Sequence, residues 1–323
     1  MSDPRPWFQI EERGVLWGMR LVLAVYRLLG RRLCLWLIKP AVLYFWLTNP
    51  GARRASRDYL ARLAAWAPHT GLRGNRRDSL RHFQAFGATM IDKLGAWRGE
   101  VALNTVDVIG RDTLIEVLDS GRGAVLMGAH LGNMEVCRAL SQLRPGVRLT
   151  VLVHTHHAEK FNRLLSEVSG DASLSLIQVS SLNPATAIVL QQRIDAGELV
   201  AIMGDRVPLS GTPRTTTVPF LGAPAPFPQG PFILASLLRC PVLSLFCVRR
   251  QRRFEIHFAR LTERVRLPRH ERQAALARYV GAFAAELERH CLGAPLQWFN
   301  FYDFWHQHET PASYSVDTER ERP

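Results

Sequence analysis

The stretch VLMGAHLGNMEV, residues 125–136, sets His130 and Glu135 just beyond a short apolar run. Imidazole and carboxylate are the side chains best suited to acid–base work near neutral pH. On a continuous helix, however, five steps of about 100° would leave two side chains roughly 140° apart around the axis. The pair makes chemical sense only if the chain turns between them. AVLMGA reads as a strand, His130 follows it, and LGN turns the chain into a helix starting near Met134 with Asn133 as its cap. Glu135 then lies in the first helical turn and can reach back to the imidazole. A carboxylate bonded to one ring nitrogen fixes the tautomer and raises the basicity of the other, giving a general base able to deprotonate an alcohol. A blander explanation uses the same residues: glutamate in a first turn is favoured by the helix dipole alone, and a strand-end histidine caps a loop.

The elements that must position this pair are legible as a texture change at residue 103. From there β-branched or apolar runs alternate with helical patterns: NTVDVIG then DTLIEVLDS, GAVLMGA then NMEVCRALSQL, VRLTVLV then AEKFNRLLSEVSG, SLIQV then NPATAIVLQQRIDAG, and ELVAIMGD. After a loop come GPFILASLLR, CPVLSLFCVRR and RRFEIHFAR, and a helix over 268–291 with Leu276, Val280, Phe283 and Leu287 on one face. The class implied is α/β, with a mostly parallel central sheet flanked by helices, and in such sheets chemistry collects outside the carboxyl ends of the strands. Ahead of it, one helix starts near Arg54 with Leu60, Leu63 and Trp66 on a side. A second covers 76–97 with Leu80, Phe83, Phe86, Met90 and Leu94 at helical spacing.

Residues 15–47 are strongly apolar but interrupted by Arg20, Arg27, Arg31, Arg32 and Lys39-Pro40, so no run reaches the roughly 18–20 residues of a spanning helix. With Trp17, Trp36, Tyr44 and Trp46 the stretch reads as an N-terminal apolar helical hairpin, either part of the core or lying in a lipid leaflet with its arginines on phosphates. The expected organisation is a membrane-associated segment over 1–50, an α/β domain over 51–305 and a disordered polar tail over 306–323. The N-terminus lacks the order of features of a secretory signal.

Composition narrows the partners. The chain has 323 residues, 47% hydrophobic and 21% charged, with a net charge of +13 that comes almost wholly from arginine. Such an excess favours an acidic protein, a phospholipid surface or nucleic acid. Nucleic acid is disfavoured, since no binding motif is present and the arginines are dispersed. The five cysteines, 34, 137, 240, 247 and 291, form no CxxC pair; Cys137, Cys240 and Cys247 lie in apolar surroundings and read as buried reduced thiols of a cytosolic setting.

HLGNME resembles the His-x4-acid motif of the lysophospholipid and lipid A biosynthesis acyltransferases. The ordered set of segments is similar to the bacterial lipid A late acyltransferases in particular. GELVAIMGDRVP resembles their strand ending in an aspartate-containing turn, here Asp205-Arg206. VPFLGAPAPFPQGPFILASLLRCPVLSLFCVR and PLQWFNFYDFW resemble their later blocks, over roughly residues 10–306 in all. LYFWLTNPGARRASRDYL and WFNFYDFW look more like the acyltransferases of aryl-polyene pathways. The resemblance implies transfer of an acyl group from an acyl carrier protein thioester to a hydroxyl of a membrane lipid, at the cytoplasmic face of the inner membrane. No cofactor is implied beyond the donor substrate. His130, through Nε2 or Nδ1, would take the acceptor proton and Glu135 would hold the imidazole. The oxyanion would meet backbone N–H groups or an arginine such as Arg206. No GxSxG elbow occurs, consistent with direct transfer. A thioesterase-like hydrolase using the same pair on water is the alternative.

Further substrate-binding candidates are Asn133, Arg163, Asp205, Arg206 and Gly230. Asp205 and Arg206 would orient substrate or bind phosphate, or else form a salt-bridged turn. Arg163 would meet an anionic acceptor or the carrier's phosphopantetheine phosphate, or simply be exposed. Gly230 and Pro231 open a helix whose N-terminus suits phosphate, or only punctuate the chain. HTHH at 154–157 lacks matching ligands nearby and reads as lining the cleft, with no metal site expected. GRGAVLMG is a poor dinucleotide loop because its glycines precede the strand.

Overall fold

The structure is a computed structural model that describes residues 13–97, 100–101, 105–137, 147–153, 174–178, 184–207, 214–251 and 253–305. Its strands are β1 (Val106–Ile109), β2 (Val125–Gly132), β3 (Leu149–Val153), β4 (Leu174–Gln178), β5 (Leu199–Met203), β6 (Thr215–Phe220), β7 (Ala223–Pro228), β8 (Val242–Arg250) and β9 (Arg253–Thr262). Its helices are α1 (Arg13–Thr48), α2 (Pro50–Trp66), α3 (Arg76–Trp97), α4 (Arg111–Asp119), α5 (Pro184–Asp195), α6 (Gly230–Leu238) and α7 (Arg272–Gly293).

Seven strands form one sheet in the order β1-β9-β8-β2-β5-β3-β4. β8, β2, β5, β3 and β4 run parallel, whereas β9 returns antiparallel to β8 and carries β1 along its far edge. The expected mostly parallel α/β sheet is therefore present. β2 lies between β8 and β5, and its side chains divide with a period of two between the faces. Val125, Met127, Ala129 and Leu131 join one core, with Phe246, Phe283 and Trp298; Ala124 and Leu126 join the other, with Leu114, Val117, Leu243 and Leu245. A strand covered on both faces has no polar side to show, which is why Val242–Val248 of β8 is buried without a break.

The expected face of α7 is in place: Leu276, Val280, Phe283 and Leu287 are all fully buried. Burial of each such side chain is worth about 1.5–3 kcal/mol. On α2, Leu60 and Leu63 are buried as expected, but Trp66 is half exposed and its indole donates to Glu288 on α7.

Three expectations need correction. The loop expected before α6 is a two-stranded ribbon, β6 paired antiparallel to β7. Its prolines at 219, 224, 226 and 228 hid it, yet a ribbon with no third strand leaves one row of N–H positions unpaired, and proline is admissible there. Val218, Phe220, Ala225 and Phe227 alternate inward to the core, and Leu221-Gly222, both at positive φ, make the turn. Second, the apolar N-terminal stretch is interrupted at Gly30 (φ 67°, ψ 174°) and not at Lys39-Pro40, which stays within a helix. Third, His130 belongs to β2 itself and not to the loop after it. The reason is a late pairing: Leu131 bridges antiparallel to Trp298, so the C-terminal segment extends the strand.

The described part of α1 is tied to α3 and to the sheet. Arg31 Nε sits 2.6 Å from Asp92 Oδ1, Arg249 of β8 pairs with the same buried carboxylate, and the Trp46 indole donates to Ser79 Oγ at 3.1 Å. Cys34 and Tyr26 pack on Ile91 and Leu94 of α3. Among the described residues no helix is long and apolar enough to cross a membrane. All five cysteines are buried free thiols. HTHH, Arg163, the tail and the residues beyond Cys137 over which a helix is expected lie outside the described residues.

Gly132 has φ +68°, and a Cβ there would collide with the Cys247 carbonyl oxygen of the neighbouring strand. Gly132→Ala is expected to lower stability by more than about 2 kcal/mol in urea unfolding, combining left-handed strain with the clash. A loss under about 0.5 kcal/mol would mean that the β2 end relaxes freely.

Candidate active site

β5 is the direct neighbour of β2, in parallel, so their carboxyl ends lie side by side. Gly204 continues that ladder by donating to the Gly128 carbonyl at 2.8 Å. It must be glycine, since a Cβ would press on the Phe283 ring and Met127. The next residue, Asp205, is therefore delivered beside His130.

The imidazole Nδ1–H of His130 donates to Asp205 Oδ1 at 2.8 Å, and the His130 backbone N–H donates to Oδ2, also at 2.8 Å. Oδ2 accepts a further bond from the Trp298 indole at 2.9 Å, and the Tyr302 hydroxyl donates to the Asp205 backbone carbonyl at 3.1 Å. Asp205 is 0% exposed, whereas the His130 side chain is 30% exposed. Burial by itself would raise the Asp205 pKa, but the charge and hydrogen bond of His130, with the Arg206 charge, outweigh it and hold the carboxyl below its usual range. Asp205 is thus an anion aimed at Nδ1, which leaves Nε2 as the ring's outward, basic nitrogen.

Asp205 therefore occupies the position at Nδ1 that the sequence reading assigned to Glu135. Glu135 lies one turn further on, in a 3-10 turn over 134–137. Asn133 caps this turn as expected: its Oδ1 accepts the Glu135 N–H at 3.2 Å. Adjacency of strands in the sheet brings this carboxylate, 75 residues away in the chain, to Nδ1.

Two orphan donors flank the pair. Asn133 Nδ2 and Arg206 Nε are buried and unpartnered. Arg206 Nη2 donates to the Phe299 carbonyl at 3.3 Å and the guanidinium lies over the Tyr302 ring. Gly230 opens α6, and the side chain of Gln229 just before it bonds Thr215 and Thr216. Among the described residues no cluster could hold a metal ion.

Trp298 was noticed in the sequence only as part of a C-terminal block. Here its segment is clamped to the strand end: Phe299 N–H donates to the His130 carbonyl at 2.7 Å and Gly132 N–H to the Gln297 carbonyl at 2.8 Å. From behind, His82 of α3 bonds the Trp298 carbonyl through Nε2 at 2.9 Å, and its Nδ1 meets Ser56 Oγ of α2 at 3.0 Å. A carbonyl only accepts, so Nε2 carries the hydrogen and Nδ1 of the neutral ring accepts a hydrogen bond from the Ser56 hydroxyl. No spacing in the sequence marks His82, because its partners come from two other segments, α2 and the stretch beyond α7.

The family model of the bacterial lipid A biosynthesis acyltransferases matches residues 80–307, which include every residue of this assembly except Ser56. No curated protein matches the chain.

Burial lowers the His82 pKa to about 4 against an ordinary 6.5, with only the Trp298 bond opposing it. Between those values the unfolded chain binds the proton and the folded chain does not, so stability is full above pH 6.5 and falls as pH drops toward 4. His257, lowered by burial and by the nearby His290, contributes in the same direction. His82→Gln is expected to flatten the decline measured by urea unfolding between pH 7 and 4.5, by about 2–3 kcal/mol. An unchanged slope would show that His82 accepts the proton within the fold.

Proposed function

Since the chain belongs to the bacterial lipid A biosynthesis acyltransferases, an acyltransferase family of lipid biosynthesis, we propose that it transfers an acyl group from an acyl carrier protein thioester to a hydroxyl of a membrane lipid, with His130 as general base and Asp205 as its orienter. The observation that carries this is the His130 Nδ1–Asp205 Oδ1 bond at the carboxyl end of adjacent central strands, with Nε2 left outward. Nε2 takes the acceptor hydroxyl proton as oxygen attacks the thioester carbonyl. Asp205 stabilises the imidazolium that forms, and the tetrahedral intermediate collapses to ester while the imidazolium returns its proton to the departing thiolate. Asn133 Nδ2 and Arg206 Nε are suited to the oxyanion or to a polar group of the substrate, being buried donors in need of an acceptor. Glu135, Arg163 and Gly230 remain secondary substrate contacts in this reading. The acyl group is a fatty-acyl or an aryl-polyene acyl chain.

The acceptor reaches the site from a lipid surface. The helix after Gly30 is apolar on both sides: Cys34 and Val42 face inward, while Leu33, Trp36, Leu37, Tyr44, Phe45 and Leu47 are exposed. Arg27, Arg32, Lys39 and Arg54 are exposed beside them. An apolar face ringed by cations fits an anionic phospholipid leaflet, on which the helix lies without crossing, at the cytoplasmic face of the inner membrane. The net charge of +13 equally suits an acidic carrier protein.

His130→Ala is expected to reduce acyl transfer at least about 10³-fold and Asp205→Asn about 10²–10⁴-fold, with Glu135→Gln costing less than either. Mass spectrometry of the product distinguishes acylated lipid from free acid, and turnover retained in His130→Ala would overturn the mechanism. Joint replacement of Trp36, Leu37 and Tyr44 by Ser is expected to release the protein from anionic vesicles in flotation; unchanged flotation would place the lipid contact elsewhere.

A further inference from the structure

Asp205 is the group on which the orientation of His130 depends, and its two oxygens are used unequally. Among the described residues Oδ1 serves the imidazole. Oδ2 receives the His130 backbone N–H and the Trp298 indole N–H, one from each side of the extended strand end. His130 alone engages both oxygens, but both of its donors belong to one residue; the Trp298 indole adds an independent donor on Oδ2 that opposes rotation of the carboxylate about its Cβ–Cγ bond. We propose that Trp298 is a positioning residue for the His130–Asp205 pair, its indole holding the carboxylate in the one rotamer that presents Oδ1 to Nδ1. It acts through Asp205 and not on the substrate.

The rest of the molecule supports the indole in that task. Trp298 is fully buried, with Tyr59, Phe220 and Phe304 edge-on to it at ring separations of 4.9, 5.3 and 5.0 Å. Its backbone is held from three directions: the Leu131 bridge, the Phe299 N–H to the His130 carbonyl, and the His82 Nε2–H to its own carbonyl. Ser56 and His82 resemble a serine–histidine pair, but both are fully buried and Nε2 is spent on that carbonyl. They are a prop for the tryptophan, with no nucleophile to offer.

The proposal rests on the reading of His130 and Asp205 as an acid–base pair, so its test needs a signal independent of turnover. Trp298→Phe removes the donor but also part of the ring. Trp298→benzothienylalanine keeps the shape and puts sulfur where the N–H was. In the full chain either variant is expected to lower kcat about tenfold with KM within about twofold, the effect of one lost charge-assisted hydrogen bond. The downfield proton resonance of the His130 Nδ1–H should move, since Asp205 with one donor fewer accepts more strongly. Trp66→Phe, whose indole serves Glu288 at the surface, is the control and should change neither. If the shape-preserving variant shows the wild-type resonance and rate, the positioning role is wrong. A shifted resonance in a protein that transfers no acyl group would uphold the positioning and refute the acyl-transfer reading.

Discussion

A carboxylate with no exposed surface is costly unless every lone pair that matters finds a donor. Asp205 meets that condition with three N–H groups, two from His130 and one from Trp298. The three residues come from the end of β2, the end of β5 and a segment beyond α7. The site therefore does not exist as a local motif. It exists when two neighbouring parallel strands end at the same level and the chain's last described segment lies across them. The same constraint explains the small residues around it. Gly204 lets the end of β5 pass over Phe283, and Gly132 lets β2 approach the Cys247 carbonyl in a left-handed conformation.

What the sequence discloses and what it hides follow from the range of the interactions. Periodicity is local, and the strand pattern from 103 onward with the buried face of α7 at 276, 280, 283 and 287 is found where it was read. His130 and Asp205 were each legible as polar residues at strand ends. That they meet was not, because strand order is set by packing across the sheet and β5 is the third strand after β2 in the chain. Glu135 drew attention through nearness in sequence, and the Asn133 cap it was expected beside is real. The ribbon of β6 and β7 was hidden by proline, whose penalty applies to a central strand and not to one with a free edge. Gly30 outweighs Pro40 as a break: proline at an exposed position removes one hydrogen bond, whereas the ψ of 174° at Gly30 leaves the helical path altogether.

The helical layer links the proposed lipid surface to this assembly through α3. At one end His82 holds the Trp298 carbonyl; ten residues later Asp92 binds Arg31 of α1 and Arg249 of β8. On a straight helix that interval is about 15 Å. Asp92 is buried and shared by two arginines, one on the apolar helix and one on the sheet, so removing it would leave both cations short of a partner in a part-buried setting. The helix with the exposed apolar face is thus joined to the sheet that carries His130 by a rigid element, not by a linker.

That rigidity has a consequence for substrate selection. If the leaflet lies along the exposed face of α1, α3 fixes the height of the His130 Nε2 above it, and a hydroxyl must be presented near that height to be deprotonated. Transfer depends steeply on such placement, since a near-attack geometry requires the reacting atoms within about 3–3.5 Å. Under the proposed function, selection among lipid hydroxyls would then come first from their depth in the headgroup layer and only second from the proposed contacts with Asn133 and Arg206. A flexible tether would blur the first criterion and leave the second to do all the discriminating. The buried Asp92 junction and the propped Trp298 belong to one design in this sense: each removes a degree of freedom between the lipid surface and a single imidazole nitrogen.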